Sequence, residues 1–539
     1  MTDIKDVAWD YVVVGAGSAG CVVAERLSAD ARRKVLLLEA GGSDRSIYVQ
    51  MPAATYVGAI GNPRFDWMYP TLPDPTRRNR IDIWPRGKVL GGTSSINGML
   101  YIRGHPMDYD GWEALGNAGW GWADVLPLFK RQERFPGGES EFHGGAGRLS
   151  VEPLRDPHPL AAHFIESARA LGIATNPDLN GPSQEGVGYV QATQDGGWRC
   201  SSYRAFVAPV RARPNLKVVT DAQVVRIGLE DGRAKSASFL RSGHEQVVRV
   251  SGEIVLSAGA IASPQILLRS GVGPAEEIKS VGVLPLIDRP GVGLNLHDHP
   301  GLGITYAVDL PTFNDQLRFT SRVFHITNWL LFGRGPAATP DAHVVGFVRS
   351  APQVDRPDIQ MHFTPAGYRI SGKGELLLNR SSVTAIASVC RPKSRGRLTL
   401  ASPDPRTPPS IQPNLFGEPE DLDLLVQGVK RVRAIFRAQP LAGHVVEELQ
   451  PGGNIESDAA ISDHLLDTAA TIFHPCGTCR MGVDARSVVD PQLRVRGVAG
   501  LRVADASIMP QITSGNLNAP CMMIGEKAGD LILGSQLGS

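Results

Sequence analysis

Between Asp10 and Glu39 the apolar positions change period twice. Tyr11 to Val14 is an unbroken apolar run, the pattern of a strand buried on both faces. Ala19, Val22, Val23 and Leu27 then recur at helical spacing, and Lys34 to Leu38 forms a second buried run closed by Glu39. The spacing predicts strand, helix and parallel strand in register. Leu216 to Ser257 reads as a β-meander, with turns at Glu230-Asp231-Gly232 and Ser242-Gly243. Ala258 to Gly273 predicts a helix with Ser263 as N-cap, Pro264 at the first helical position and Gly271 at the C-terminal stop. From Gly301 to about His464 the stretches are longer and more irregular, which marks a second domain. Leu501 to Pro510 returns to a buried strand and turn. From Pro520, Ile524, Ala528 and Leu531 fall in phase for a closing helix.

The turn between the first strand and helix is DYVVVGAGSAG, with Gly15, Gly17 and Gly20 in GxGxxG spacing. Gly15 permits a tight turn, Gly17 lets a pyrophosphate approach the backbone, and Gly20 lets helix and strand pack closely. The helix N-terminus offers free N–H groups to phosphates, and Glu39 sits where a carboxylate accepts ribose hydroxyls. That acid disfavours NADP, whose extra phosphate it would repel; FAD and NAD both satisfy the motif. The segment Trp84 to Gly104, WPRGKVLGGTSSINGMLYIRG, is dense in small residues and suits backbone lying against a flat ligand.

A chain of 539 residues is too long for one simple core. Its formal net charge of +1 provides no broad basic field for nucleic acid or anionic membrane. The polar start MTDIKDVAWDY leads straight into the first strand and leaves no room for a secretory signal. The longest loosely apolar patch, Val323 to Phe332, is broken by His325, Thr327 and Asn328, so no membrane span is expected. Six cysteines in this length point to a reducing, cytoplasmic compartment rather than a disulfide scaffold. Cys476 and Cys479 form CxxC without a second pair, and are read as packing residues. Arg391, Lys393 and Arg395 are read as a solvated face, and Asn295 to His299 as a structural segment rather than a metal site.

Four segments together resemble the glucose–methanol–choline (GMC) oxidoreductases, most closely the choline dehydrogenase-like branch. They are the fingerprint with Glu39; Gly87 to Gly104; GAIASPQILLRSGVG, Gly259 to Gly273; and FHPCGTCRMG, Phe473 to Gly482, followed by LRVADASIMPQITSGNLNAP, Leu501 to Pro520. The resemblance spans nearly the whole chain and selects FAD over NAD. It implies an α/β fold, with a Rossmann-like FAD-binding domain and a second α+β substrate domain built on an antiparallel sheet. The expected FAD-binding segments are 1–155, 201–300 and 465–539, and the substrate segments 156–200 and 301–464. By position, Gly15, Gly17, Ser18, Ala19, Gly20, Glu39 and Ala40 hold the ADP half, and the Val224 backbone meets the adenine. Gly87, Gly92, Thr93, Ser95, Ile96, Asn97 and Gly98 line the isoalloxazine and ribityl region, with Ala258, Asp505 and Ala506 near the pyrophosphate. Ile96 stands where some relatives carry a histidine bonded to flavin, so non-covalent FAD is expected.

The resemblance makes His474 the catalytic base and Asn516 its partner on the substrate oxygen, with Asn518 supporting flavin and backbone. Imidazole titrates near working pH, which suits removal of a hydroxyl proton. The expected reaction is oxidation of a small-molecule alcohol to the aldehyde or ketone by hydride transfer to flavin. The acceptor is a quinone, dye or oxygen, with the first two favoured by the cytoplasmic setting. Choline-type relatives hold the trimethylammonium with a carboxylate and an aromatic cage; here that acid aligns with His343 in PDAHVVGF, which disfavours choline. Tyr101, Trp329, His343, His362, Phe363 and Phe473 are the expected pocket residues, fitting an uncharged primary alcohol. The alternatives are a cyanohydrin-type lyase with non-redox FAD, choline dehydrogenase proper, and a flavin-binding protein without catalysis.

Overall fold

The computed structural model describes residues 4–5, 7–317, 319–371 and 374–534. In chain order, β1 (Ala8–Val14), α1 (Ser18–Leu27) and β2 (Val35–Leu38) are followed by β3 (Gly186–Tyr189), β4 (Leu216–Val219), β5 (Gln223–Glu230), β6 (Arg233–Arg241) and β7 (His244–Leu256). Next come α2 (Gly259–Arg269), β8 (Pro300–Val308), α3 (Phe319–Phe332), β9 (Val344–Val348), β10 (Ile359–Thr364) and β11 (Ser382–Val389). The last part supplies α4 (Pro419–Arg437), β12 (Val445–Gln450), α5 (Asp458–Thr468), β13 (Ala470–Thr471), β14 (Leu501–Val503) and α6 (Asn518–Gly534).

Among the described residues these strands build two seven-stranded sheets. The first runs β4-β2-β1-β7-β6-β5, with β14 added on β7. Its β4, β2, β1, β7 and β14 pairings are parallel, as the apolar runs require of strands covered on both faces. The long β7 changes partner along its length: Arg241 to Ser236 of β6 pair with its first half, and β14 pairs with Ile254 to Leu256. Both hairpin turns fall where expected, with Asp231 and Gly232, then Ser242 and Gly243, all at positive φ. The expected meander, however, begins one strand too early. Leu216–Val219 crosses to the far edge and pairs with β2.

The second sheet runs β12-β8-β11-β10-β9-β3 and is antiparallel throughout, with β13 added on β8. The amphipathic α4 covers one face. Ile359, Met361 and Phe363 of β10 join its Leu425, Val429 and Val432 in one apolar core. The strand's alternation then turns Gln360 and His362 to the opposite face.

Two local expectations are corrected. The helix after β7 starts at Gly259, so Ser263 is not its N-cap and Pro264 lies inside it. A proline there leaves the Ala260 carbonyl without its intrahelical donor, and the Thr478 hydroxyl takes that place at 2.6 Å. The basic run is not a free face either: Arg391 donates to Ser514 Oγ and Arg395 to Asn295 Oδ1, whereas Lys393 is exposed beside Glu420. The patch Val323 to Phe332 lies in α3, with Phe324, Leu331 and Phe332 exposed. No helix among the described residues is long and apolar enough to cross a membrane.

Candidate functional site

A cavity of about 750 Å³ opens at the C-terminal ends of β1, β7 and β14 and runs beneath the second sheet. Three helices start there, with Ser18 of α1, Gly259 of α2 and Asn518 of α6 on its wall. Their unpaired N–H groups and positive dipole ends make this end of the cavity a place for an anion. Ser18 donates to Asn518 Oδ1 at 2.8 Å, which locks the starts of α1 and α6 together.

The glycines allow backbone to approach backbone. Gly15 has φ +97°, and a Cβ there or on Gly20 would collide with main chain. Gly92 lies on Gly17, so a Cβ on it would come 2.7 Å from the Gly17 Cα. The 87–98 segment is thereby pressed onto the turn, where Gly91 N–H donates to the Ala16 carbonyl.

Glu39 is buried on the cavity wall and accepts the N–H groups of Ala16 and Gly41, each at 2.8 Å. Burial raises its carboxyl from the ordinary 4.5 to about 7, against the pull of those two N–H groups. Asp505 faces the same space and accepts Gly259 N–H, Ser507 N–H and the Ser263 hydroxyl.

Gly15, Gly17, Ser18, Ala19, Ala40, Gly87, Gly92, Thr93, Ile96, Asn97, Gly98, Val224, Ala258, Ala506 and Asn518 also line the cavity. Gly20 and Ser95 do not. Gly20 is buried between α1 and Gly15, and the Ser95 hydroxyl turns inward to the Leu90 carbonyl at 2.7 Å. Ile96 sits among Val49, Ala59, Phe65 and Val89, and offers only hydrocarbon.

At the other end, His474 and Asn516 come together. Asn516 Nδ2 is 3.3 Å from His474 Nε2, and its Oδ1 accepts from Gln360 at 3.2 Å. His474 follows Phe473, a non-glycine residue held at φ +64°. That strained backbone is tied down by a hydrogen bond from the half-buried Arg86 to the Phe473 carbonyl. Asp298 Oδ1 accepts the N–H groups of both His474 and His299, each at 2.7 Å.

His299, at the start of β8, was read from sequence only as part of a structural segment. Its Nε2 faces the Thr513 carbonyl at 3.1 Å, and its Nδ1 lies 3.0 Å from His474 Nδ1. Burial lowers His299 to about 3, so the ring is neutral. Facing a carbonyl, its Nε2 carries the hydrogen, and its Nδ1 must accept. His474 therefore donates from Nδ1 and is left with an acceptor lone pair on Nε2, toward which Asn516 Nδ2 points. Burial, then the neighbouring His299 and Arg86, hold the His474 pKa well below its usual value. Thr513 is fixed through its neighbour: Ser514 N–H donates to Asp108 Oδ2 at 2.7 Å, and Arg391 donates to Ser514 Oγ.

Of the expected pocket residues, His362 and Phe473 line the cavity. Neither ring nitrogen of His362 makes a well-formed hydrogen bond, and burial lowers it to about 4 against the pull of the nearby Asn516 side chain. The other four are corrected. Phe363 alternates to the far face of β10 and packs 4.9 Å from Phe164. Trp329 stacks on Trp198 at 4.1 Å and donates to Gly197. Tyr101 is buried against Arg103 in the core. His343 accepts the His158 N–H with Nδ1, away from the cavity. Cys476 and Cys479 are buried free thiols whose pKa values burial pushes well up.

The GMC oxidoreductase family models match residues 9–301 and 392–525. The chain is 42% identical over 533 residues to an alcohol dehydrogenase [acceptor] of Pseudomonas putida, covering 97% of this chain and 96% of that protein. It is 42% identical over 530 residues to an oxygen-dependent choline dehydrogenase of Rhizobium etli, covering 98% and 96%. Among solved structures it resembles pyridoxine 4-oxidase from Mesorbium loti, with TM-score 0.88, 32% identity, and coverage of 97% and 98%. It also resembles formate oxidase from Aspergillus oryzae, with TM-score 0.91, 26% identity, and 99% of each chain covered.

The raised Glu39 pKa sets a pH dependence. Between 4.5 and about 7 the folded chain without cofactor binds more protons at this site than the unfolded chain. Its stability therefore falls as pH rises through that window. Glu39→Gln should remove that slope. Thermal melts of cofactor-free protein should show the variant gaining on wild type from pH about 5 to about 8; parallel curves would contradict it.

Proposed function

The chain belongs to the GMC oxidoreductase family and holds FAD, and from that premise we propose that it oxidises a primary alcohol to the aldehyde, with His474 as base. FAD fits the residues present: the glycine cradle, three helix starts, Glu39 and the apolar Ile96 match a dinucleotide ending in a flat ring system. When bound, FAD supplies the hydride acceptor.

The remaining chemistry belongs to side chains. His474 Nε2 takes the hydroxyl proton, because its Nδ1–H is already committed to His299 and its lone pair faces the cavity. Asn516 Nδ2, beside that lone pair, donates to the oxygen as negative charge grows on it. Gln360 holds the amide in that orientation by bonding its oxygen. The carrying observation is this one-directional hydrogen-bond chain from the Thr513 carbonyl to His474 Nε2. A lyase using the same base would leave flavin oxidised, so bleaching of flavin absorbance by an alcohol without oxygen separates the two readings. Readmitting oxygen to the bleached enzyme, or adding a quinone, identifies the acceptor.

The expectation of an uncharged substrate rested on His343 occupying the position of a carboxylate. With His343 outside the cavity, that ground against a charged substrate is gone.

Three measurements follow from this reading. His474→Ala should slow anaerobic flavin reduction by about 10²–10⁴-fold while retaining FAD; an unchanged rate would reject the base. His299→Leu should cost roughly ten- to a hundredfold, because the second ring nitrogen no longer fixes the tautomer, and His299→Asn, whose amide oxygen can accept the same hydrogen, should recover part of the rate. Acid precipitation should release all the flavin into the supernatant; flavin left in the pellet would mean a covalent bond elsewhere than Ile96.

A further inference from the structure

Five carboxylates line the cavity, and four of them have two or more donors from the protein. Glu39 has two backbone N–H groups. Asp66 accepts three, from Gly61, Met68 and Arg86. Asp82 pairs with Arg77 and Arg80. Asp505 has two N–H groups and a hydroxyl. Asp341 differs. It accepts from one neutral group, the Tyr56 hydroxyl at 3.1 Å, and among the described residues no arginine, lysine or histidine pairs with it. It faces the wall formed by the 97–100 segment: a Cβ on Gly98 would stand 3.3 Å from the Asp341 Cβ and 3.5 Å from the Tyr56 hydroxyl. Asn97, Gly98, His362, His474 and Asn516 bound the same cavity.

A half-buried carboxylate in a cavity wall with a single neutral donor is costly unless something compensates it. Glu39, held by two N–H groups on the cavity wall, has lone pairs left that would accept a ligand's hydroxyls on the FAD reading above. Asp341 is the corresponding open acceptor near the substrate end. We infer that Asp341 binds a protonated amino group carried by the alcohol substrate, so that the preferred substrates are amino alcohols. The inference rests on the alcohol-oxidising reading above and adds the substrate class. A quaternary ammonium has no N–H to donate and is held mainly by a cage of aromatic faces. Asp341 meets Tyr56 through the tyrosine's hydroxyl and has Gly98 beside its Cβ, so an N–H donor suits the site better than a trimethylammonium. Burial raises Asp341 to about 6, which leaves it ionised at neutral pH, where an alkylamine is still protonated.

The test uses the FAD-loaded enzyme and anaerobic flavin reduction at neutral pH. A series of ω-amino alcohols is compared with n-alkanols of equal heavy-atom count. At one chain length the amino alcohol should exceed its neutral match in kcat/KM by about tenfold or more, the worth of a charge-assisted hydrogen bond. Asp341→Asn should remove most of that ratio. Tyr56→Phe, which keeps the carboxylate, should preserve it. The N-trimethyl analogue should fall below the primary amine. FAD content and melting temperature, measured on each variant, separate loss of folding from loss of selectivity. The inference is overturned if no amino alcohol exceeds its match, if the ratio survives Asp341→Asn, or if Tyr56→Phe abolishes it equally, which would make the pair a structural latch. Reduction by alkanols alone overturns the amine site and leaves alcohol oxidation standing; reduction by neither series overturns both.

Discussion

The proposed chemistry of this chain depends on one hydrogen bond, 3.0 Å between the Nδ1 atoms of His299 and His474. Two neutral imidazoles facing each other through the same nitrogen leave the direction of the hydrogen undecided. The Thr513 carbonyl decides it, because a carbonyl can only accept. The lone pair is thereby delivered to His474 Nε2, on the cavity side. Burial of both rings reinforces the arrangement by keeping them uncharged. The surrounding structure holds the three groups in line: Asp298 grips both histidine backbones, Arg86 holds the strained Phe473, and Asp108 with Arg391 pins the loop carrying Thr513.

The two ends of the cavity follow different physics. At the glycine turn the protein contributes backbone: N–H groups at three helix starts, brought close by residues that lack a Cβ. Side chains there mostly organise main chain, as Ser18 does with Asn518 and Asp505 with Gly259. At the other end the protein contributes side chains whose protonation matters, set on β8, β10 and the loops bearing His474 and Asn516. The sheet's alternation chooses them. His362 faces the cavity and Gln360 reaches Asn516 because Ile359, Met361 and Phe363 are needed in the core beneath α4.

The glycine turn was legible from sequence because every part of it is local. Strand, turn, helix and acid lie within thirty residues, and each leaves a pattern in hydrophobic spacing or glycine placement. The helix at Gly259 was misread for a reason that is also physical. Ser-Pro is a good helix start unless a distant hydroxyl satisfies the carbonyl that proline abandons, and Thr478 lies more than two hundred residues away. Aromatic residues were poor markers of the pocket. Phe363, Trp329 and Tyr101 carry the right chemistry, but composition does not say which side of a strand or loop is wet. His299 escaped notice because its role exists only relative to His474 and Thr513, 175 and 214 residues distant.

Asp341 shows how far a misplaced residue propagates. Alignment of a charge-selecting position onto His343 disfavoured choline, yet the fold turns that imidazole toward His158 and leaves the carboxylate two residues earlier on the cavity wall. Selectivity here follows from which buried groups the protein leaves incompletely paired. A saturated carboxylate such as Asp66 is part of the scaffold, whereas one with a single neutral partner describes by its deficit the ligand that would complete it. By that criterion the two ends of the cavity would take different groups under the proposals above: ribose hydroxyls beside Glu39, and a positive hydrogen-bond donor beside Asp341.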